Sequence, residues 1–138
     1  MKDSKDTRKF AIYSRKSMFT GKGESIANQI ELCRQYLFQK YSNITDDDIV
    51  VFEDEGFSGK NTNRPEFQKM MKAVRAKQIR AVVCYRLDRI SRSVADFANI
   101  YEELDSLNVM FVSYSENYDS NTPMGRAMLQ MAAVFAQM

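Results

Sequence analysis

The chain has 138 residues, 44% of them hydrophobic and 28% charged, with a net charge of +2 and no histidine. That length suits one domain, in which roughly 68–70% of the unfolded surface can be buried, so a core forms without disulfide or metal staples. The missing histidine excludes Ser-His-Asp and Cys-His catalysis and any histidine-containing zinc site, and no apolar run approaches the ~20 residues of a membrane span.

The opening Met1-Lys2-Asp3-Ser4-Lys5-Asp6 is polar and lacks the apolar centre of a signal peptide. Residues 1–8 are therefore expected to form a flexible tail, and the protein to be cytoplasmic. Phe10-Ala11-Ile12-Tyr13 reads as a first strand. Ile26, Ile30, Cys33 and Leu37 recur at helical spacing, which predicts an amphipathic helix over 25–40. Ile49-Val50-Val51-Phe52 is a second strand. Phe67, Met70, Met71 and Val74 mark a second helix, with Pro65 in its first turn. Residues 79–85 form a third strand. Val94, Phe97, Tyr101 and Leu104 mark a third helix, and Val109-Met110-Phe111-Val112 a fourth strand. Thr122-Pro123 opens a last helix, with Thr122 as its N-cap. The predicted class is α/β: a mostly parallel central sheet of four to five strands, flanked by helices. The glycine-bearing stretches 21–23 and 56–59 read as loops beside strand ends.

The last helix departs from the pattern. Between residues 127 and 138 only Gln130 and Gln137 are polar, so the helix needs burial all round. One face is expected on this domain's sheet and the other on a partner chain or on residues beyond Met138. The expected identity of this element is an oligomerisation helix, here cut short. Cys33 and Cys84 have no metal-like spacing and are expected in the core.

Charge is segregated. Residues 60–92 hold ten Lys/Arg and two acids, residues 96–119 hold six acids and no base, and 46–55 hold six more acids. A polyanion-facing surface accounts for this asymmetry, although the basic run 69–77 fits a solvated helix face equally well.

The densest cluster is Arg86-Leu87-Asp88-Arg89-Ile90-Ser91-Arg92, directly after the third strand. Guanidinium forks match phosphate oxygens bidentately and stay charged at any working pH. Ligands of open α/β sheets bind outside the carboxyl ends of the strands. The first strand ends in Tyr13-Ser14-Arg15-Lys16-Ser17, which a parallel sheet places at the same edge. Ser17 is then a hydroxyl beside two cationic clusters. Without histidine, its activation must come from cations, from a carboxylate such as Asp88, or from the electrophile, and this suits phosphoryl transfer. Arg64, ahead of Pro65, sits at a helix start, and Gln29 lies off the apolar stripe of the first helix. No Walker-type loop and no Gly-x-Gly-x-x-Gly is present. A receiver-type domain needs acids where Arg15, Lys16 and Ser17 stand, and neither cysteine heads a phosphatase loop.

Taken in order, Tyr13-x-Arg15-x-Ser17, Gln29, Asp54, the loop leading to Arg64-Pro65, Leu87-Asp88-Arg89-x-x-Arg92 and Thr122-Pro123-Met124-Gly125 resemble the catalytic domain of serine recombinases over residues 9–138. The Ser-Arg-Lys-Ser wording is most similar to the large transposase and integrase subgroup. The resemblance implies a bacterial, DNA-associated enzyme for site-specific recombination of double-stranded DNA, needing no cofactor and no metal. It implies that Ser17 attacks a phosphodiester to give a 5′-phosphoserine, and that strands exchange by rotation within a tetramer built from dimers through helix 123–138. Arg15, Arg64, Arg89 and Arg92 would bind the scissile phosphate. Asp88 would orient them or carry a proton, Gln29 would assist, and Tyr13 and Asp54 would be accessory. Arg86 and Lys16 are expected on the DNA backbone. The family's last helix normally continues into a Glu-Arg pair, which this chain lacks, so this piece is expected to be inactive alone. The alternatives are a catalytically silent assembly or DNA-binding module of the same fold, and a serine-based phosphotransferase on small molecules.

Overall fold

The computed structural model describes residues 7–15, 26–54, 64–91 and 93–136. Its strands are β1 (Lys9–Arg15), β2 (Ile49–Asp54), β3 (Ile79–Cys84), β4 (Met110–Ser113) and β5 (Tyr118–Asp119). Its helices are α1 (Ile26–Lys40), α2 (Pro65–Arg75), α3 (Val94–Ser106) and α4 (Pro123–Ala136), with one-turn 3-10 helices at Asp46–Asp48 and Leu87–Arg89. The sheet order is β2-β1-β3-β4-β5. The first four strands are parallel, and β5 runs antiparallel to β4.

The central strands β1 and β3 are buried on both faces, which is why they read as continuous apolar runs. Alternate side chains divide between two cores. Phe10, Ile12, Ala81, Val83 and Val112 meet Cys33 and Leu37 of α1. Ala11, Tyr13, Val82, Cys84 and Phe111 meet the apolar stripes of α2, α3 and α4 on the other face. Both cysteines are free and buried, as expected. Burial pushes the Cys33 thiol up to about 12 and raises Cys84 as well, so neither is a reactive thiolate at neutral pH.

The two-residue β5 is too short to leave a periodic signal. It is held by Ser120, whose N–H donates to the Phe111 carbonyl (2.9 Å) and whose hydroxyl accepts from the Phe111 N–H (2.8 Å). Thr122 caps α4 as predicted, its hydroxyl accepting from the Gly125 N–H at 3.1 Å. Gly125 is required here, because a β-carbon would stand 2.1 Å from the Asp119 carbonyl oxygen. One face of α4 packs on this domain as expected, against the sheet at β5 and against α3. Leu129 and Ala133 enter the core, while Met124, Met131, Val134 and Phe135 remain 51–73% exposed. Among the described residues no helix is long and apolar enough to cross a membrane.

Helices α2 and α3 end alike. Lys77 and Asn108 adopt left-handed backbone, at φ 64° and 60°. The next residue's N–H reaches back to a carbonyl five residues earlier, Gln78 to Ala73 at 3.0 Å and Val109 to Leu104 at 2.9 Å. This is the Schellman closure, which favours glycine or asparagine at the left-handed position. Lysine pays roughly 1–2 kcal/mol of steric strain there. Lys77→Gly should therefore raise stability by about 0.5–1 kcal/mol after glycine's extra unfolded-state entropy is allowed for. Urea denaturation checks this, with an increased midpoint at unchanged slope as the expected result.

Candidate functional site

The site is built around the turn at 86–91, which follows β3 at the carboxyl edge of the sheet. The Ser91 hydroxyl donates to the Leu87 carbonyl at 3.0 Å and tightens the turn internally. Glu116, beyond β4, accepts from the Leu87 N–H at 3.0 Å and from the Ser113 hydroxyl. The Tyr114 and Ser115 N–H groups continue the ladder to the carbonyls of Cys84 (2.9 Å) and Tyr85 (2.7 Å). Sequence reasoning missed Glu116 and Ser113. Glu116 counted there only as one acid of an acidic stretch, and its partner lies 29 residues away.

Two distant arginines dock on this turn. Arg15, at the end of β1, donates from Nη2 to the Asp88 carbonyl at 2.9 Å. Arg64, immediately before α2, donates from Nη1 to the Ile90 carbonyl at 2.5 Å. Arg64 is 8% exposed; its guanidinium lies 4.0 Å over the Phe67 ring, and Nη2 is 3.5 Å from Asp96 Oδ2. Among the described residues these contacts use two of its five N–H donors. The structure thus buries a side chain that a surface reading would leave in solvent.

Asp88 is exposed and faces two cations. Arg86 Nη2 lies 3.1 Å from Oδ2, and Arg89 Nη1 lies 3.6 Å from Oδ1. The turn therefore gathers Arg15, Arg64, Arg86 and Arg89 with one carboxylate. Lys16, Ser17, Arg92 and the stretches 21–23 and 56–59 lie outside the described residues. Gln29 sits in the first turn of α1 and is 4% exposed, so it is not a solvent-facing helix residue. Among the described residues no group of three His, Cys, Asp or Glu side chains is arranged to hold a metal ion.

Tyr13 and Asp54 form the foundation under this edge. The buried Asp54 carboxylate accepts from the Tyr13 hydroxyl at 2.7 Å and from the Glu66 and Phe67 N–H groups at 2.9 and 3.0 Å. It supplies the capping bonds of α2, because the residue in the N-cap position, Arg64, makes none with its side chain. Arg64 is thereby left to reach the turn. Burial, and then the bond to Asp54, hold the Tyr13 phenol protonated far into the alkaline range. Tyr36 is raised by the same two causes, its hydroxyl donating to Asp119 at 2.5 Å.

The basic run on α2 is in part compensated. Lys69 pairs with Glu66 at 3.1 Å, and Arg75 holds Glu103 on α3 through contacts of 2.5 and 3.0 Å. This portion is a solvated helix face.

The pattern of the family described as Resolvase, N terminal domain, matches residues 10–138. A protein of Bacillus subtilis (strain 168) described as a DNA recombinase is 30% identical over 116 residues, covering 84% of this chain and 22% of its own length. The transposon Tn917 resolvase of Enterococcus faecalis is 34% identical over 84 residues, 61% of this chain and 45% of the relative. The crystal structure of the N-terminal catalytic domain of TP901-1 integrase superposes with a TM-score of 0.74 at 28% identity, covering 94% of this chain and 95% of that one. A resolvase family recombinase from Streptococcus pneumoniae shares the fold, with a TM-score of 0.67 at 18% identity and 94% and 86% coverage. The chain spans less than half the length of these two curated relatives.

Tyr13 and Tyr36 have phenol pKa values raised in the fold above an ordinary value of about 10. The stability they contribute is fully present below that value and is lost as pH climbs past it. Stability should thus be level through neutral pH and fall above about pH 10. Tyr13→Phe should cost about 1–3 kcal/mol at pH 8, by leaving a buried acceptor short of a donor, and should flatten the alkaline fall. Denaturant titrations at pH 8 and 11 check both outcomes.

Proposed function

The chain belongs to the resolvase N-terminal domain family, whose match spans residues 10–138, and from that premise we propose that it is the catalytic domain of a serine recombinase acting on double-stranded DNA. The observation that carries the proposal is the docking of Arg15 and Arg64 on the turn that bears Arg86, Asp88 and Arg89. Three separate segments bring guanidiniums to the carboxyl edge of the sheet, and Ser17 follows Arg15 by two residues.

In the proposed reaction the Ser17 oxygen attacks the scissile phosphorus. A bond forms between that oxygen and phosphorus, and the bond from phosphorus to the 3′ oxygen breaks. The proton of the Ser17 hydroxyl departs to Asp88 or to solvent, the leaving 3′ oxygen takes one up, and the products are a 5′-phosphoserine and a 3′-hydroxyl. Arg15, Arg64, Arg89 and Arg92 stabilise the charge gathered on the phosphoryl oxygens, a task suited to fixed guanidiniums. Asp88 holds Arg86 and Arg89 until a phosphate competes for them, or carries the proton. Gln29 assists at the start of α1, while Lys16 and Arg86 contact the DNA backbone. Tyr13 and Asp54 act as positioning residues, through α2 and Arg64. Religation reverses the attack after strand exchange.

The integrase and transposase subgroup is favoured by the 28% identity to the TP901-1 domain over nearly the whole of both chains. It is favoured also by the long Bacillus subtilis relative, of which the matched part is 22%. Assembly of dimers and tetramers through helix 123–138 is supported by the exposed Met124, Met131, Val134 and Phe135.

The full-length parent protein, given a nicked recombination site, should trap a covalent protein–DNA adduct that Ser17→Ala abolishes and Arg64→Ala slows by about 10²–10³. Cleavage by Ser17→Ala would sink the mechanism. Sedimentation equilibrium of the 138-residue chain should reveal self-association that Val134→Glu removes; a monomer at high concentration would contradict the α4 interface.

A further inference from the structure

A cavity of about 420 Å³ opens at the other end of the sheet, under the C-terminus of α2 and beside the edge strand β2. Its floor is apolar, from Val50, Phe52 and Ile79. Its rim is basic, from Arg8, Lys9 and Lys77, and no acidic side chain is among its described lining residues. Lys9 Nζ donates to the Asp47 carbonyl at 2.6 Å, which positions its charge without cancelling it. Lys77 has no ion-pair partner among the described residues. It also occupies the left-handed position at the end of α2, where α3 has an asparagine. A lysine kept where its backbone is strained points to a use for its side chain.

The same wall of the cavity is, among the described residues, the edge of the sheet. Among the described residues β2 pairs with β1 alone, so alternate N–H and C=O groups of the strand face outward from that pairing. Among the described residues no other hydrogen bond reaches the backbone of Val50, Val51, Phe52 or Glu53. An exposed edge of this kind accepts an added strand. Side chains two residues apart on an added strand share one face. A strand laid along β2 could therefore place an apolar side chain over Val50 and Phe52 while carboxylates at the neighbouring same-face positions meet Lys77 and Lys9.

We propose that this edge and cavity form a docking site for an extended acidic–apolar peptide segment of a partner protein, added as a sixth strand beside β2. Charge complementarity selects the acid, the floor selects the apolar residue, and the open ladder selects the extended backbone. The site lies at the amino ends of the strands, remote from the arginine turn.

The test is a fluorescence anisotropy titration of the 138-residue chain with a fluorescein-labelled peptide Glu-Thr-Phe-Thr-Glu, whose two carboxylates and one ring share a face. Saturable binding is expected, weakened about tenfold by Lys77→Gly through loss of a charge-assisted contact. Because that variant is expected to be more stable than the parent, unfolding cannot account for its loss of binding. A backbone N-methylated version of the peptide, which cannot complete the ladder, should also bind more weakly by about tenfold. The proposal is overturned if the unmodified peptide does not bind, if Lys77→Gly or N-methylation leaves binding unchanged, or if an unlabelled DNA duplex displaces the peptide, since the rim would then be a phosphate contact.

Discussion

A single carboxylate organises the carboxyl edge of this sheet. Asp54 ends β2, accepts the Tyr13 hydroxyl from β1 and caps two N–H groups at the start of α2. Negative charge at a helix N-terminus is favourable, and a buried polar group that is fully bonded rigidifies what it touches. The end of β1, the end of β2 and the beginning of α2 are thereby fixed to one another. Arg64 is consequently free of capping duty, and its direction is set by the Phe67 ring beneath it and the Ile90 carbonyl ahead of it. Removing the carboxylate would release both residues that flank the candidate chemistry, Arg15 through β1 and Arg64 through α2.

The acceptors chosen for the docked arginines matter as much as the arginines. For Arg15 and Arg64 the close acceptor on the turn is a main-chain carbonyl, of Asp88 and of Ile90. A carbonyl orients a guanidinium while leaving its charge intact, whereas a tight carboxylate would neutralise it. The ion pair from Arg64 to Asp96 is long, at 3.5 Å, and Asp96 is partly exposed. The carboxylate inside the turn, Asp88, is itself solvent-exposed, so its pairs with Arg86 and Arg89 are weak and exchangeable. The described contacts thus hold positive charge in place without a tight carboxylate partner.

Whatever depended on periodicity was legible in the residues. Strands β1 to β4 and all four helices fall where apolar spacing puts them, and Pro65 and Thr122 stand at their helix starts. The ordered arginine motifs were legible too, through the resemblance they carry. What periodicity cannot encode is which polar group meets which. Tyr13 and Asp54 are 41 residues apart, and Arg64 and Ile90 are 26 apart. Glu116 and Ser113, which brace the turn from β4, carry no local signature at all. β5 escaped because two residues form no pattern, and its existence depends on Ser120 bonding across to Phe111.

β5 has a consequence out of proportion to its length. Its Asp119 carboxylate receives the Tyr36 hydroxyl at 2.5 Å and lies 3.7 Å from Lys40, both on α1. Its backbone abuts Gly125, and its carbonyl accepts from the Thr122 hydroxyl at the start of α4. One residue thus joins the helix on one face of the sheet to the origin of the helix on the other. With no β-carbon at position 125, α4 starts in direct contact with the strand, and little slack remains in its direction. The exposed flank of Met131, Val134 and Phe135 is therefore presented at a set angle to the sheet. An apolar flank held at a fixed angle can define the geometry of an assembly, whereas the same residues on a loose tail would give only indiscriminate stickiness.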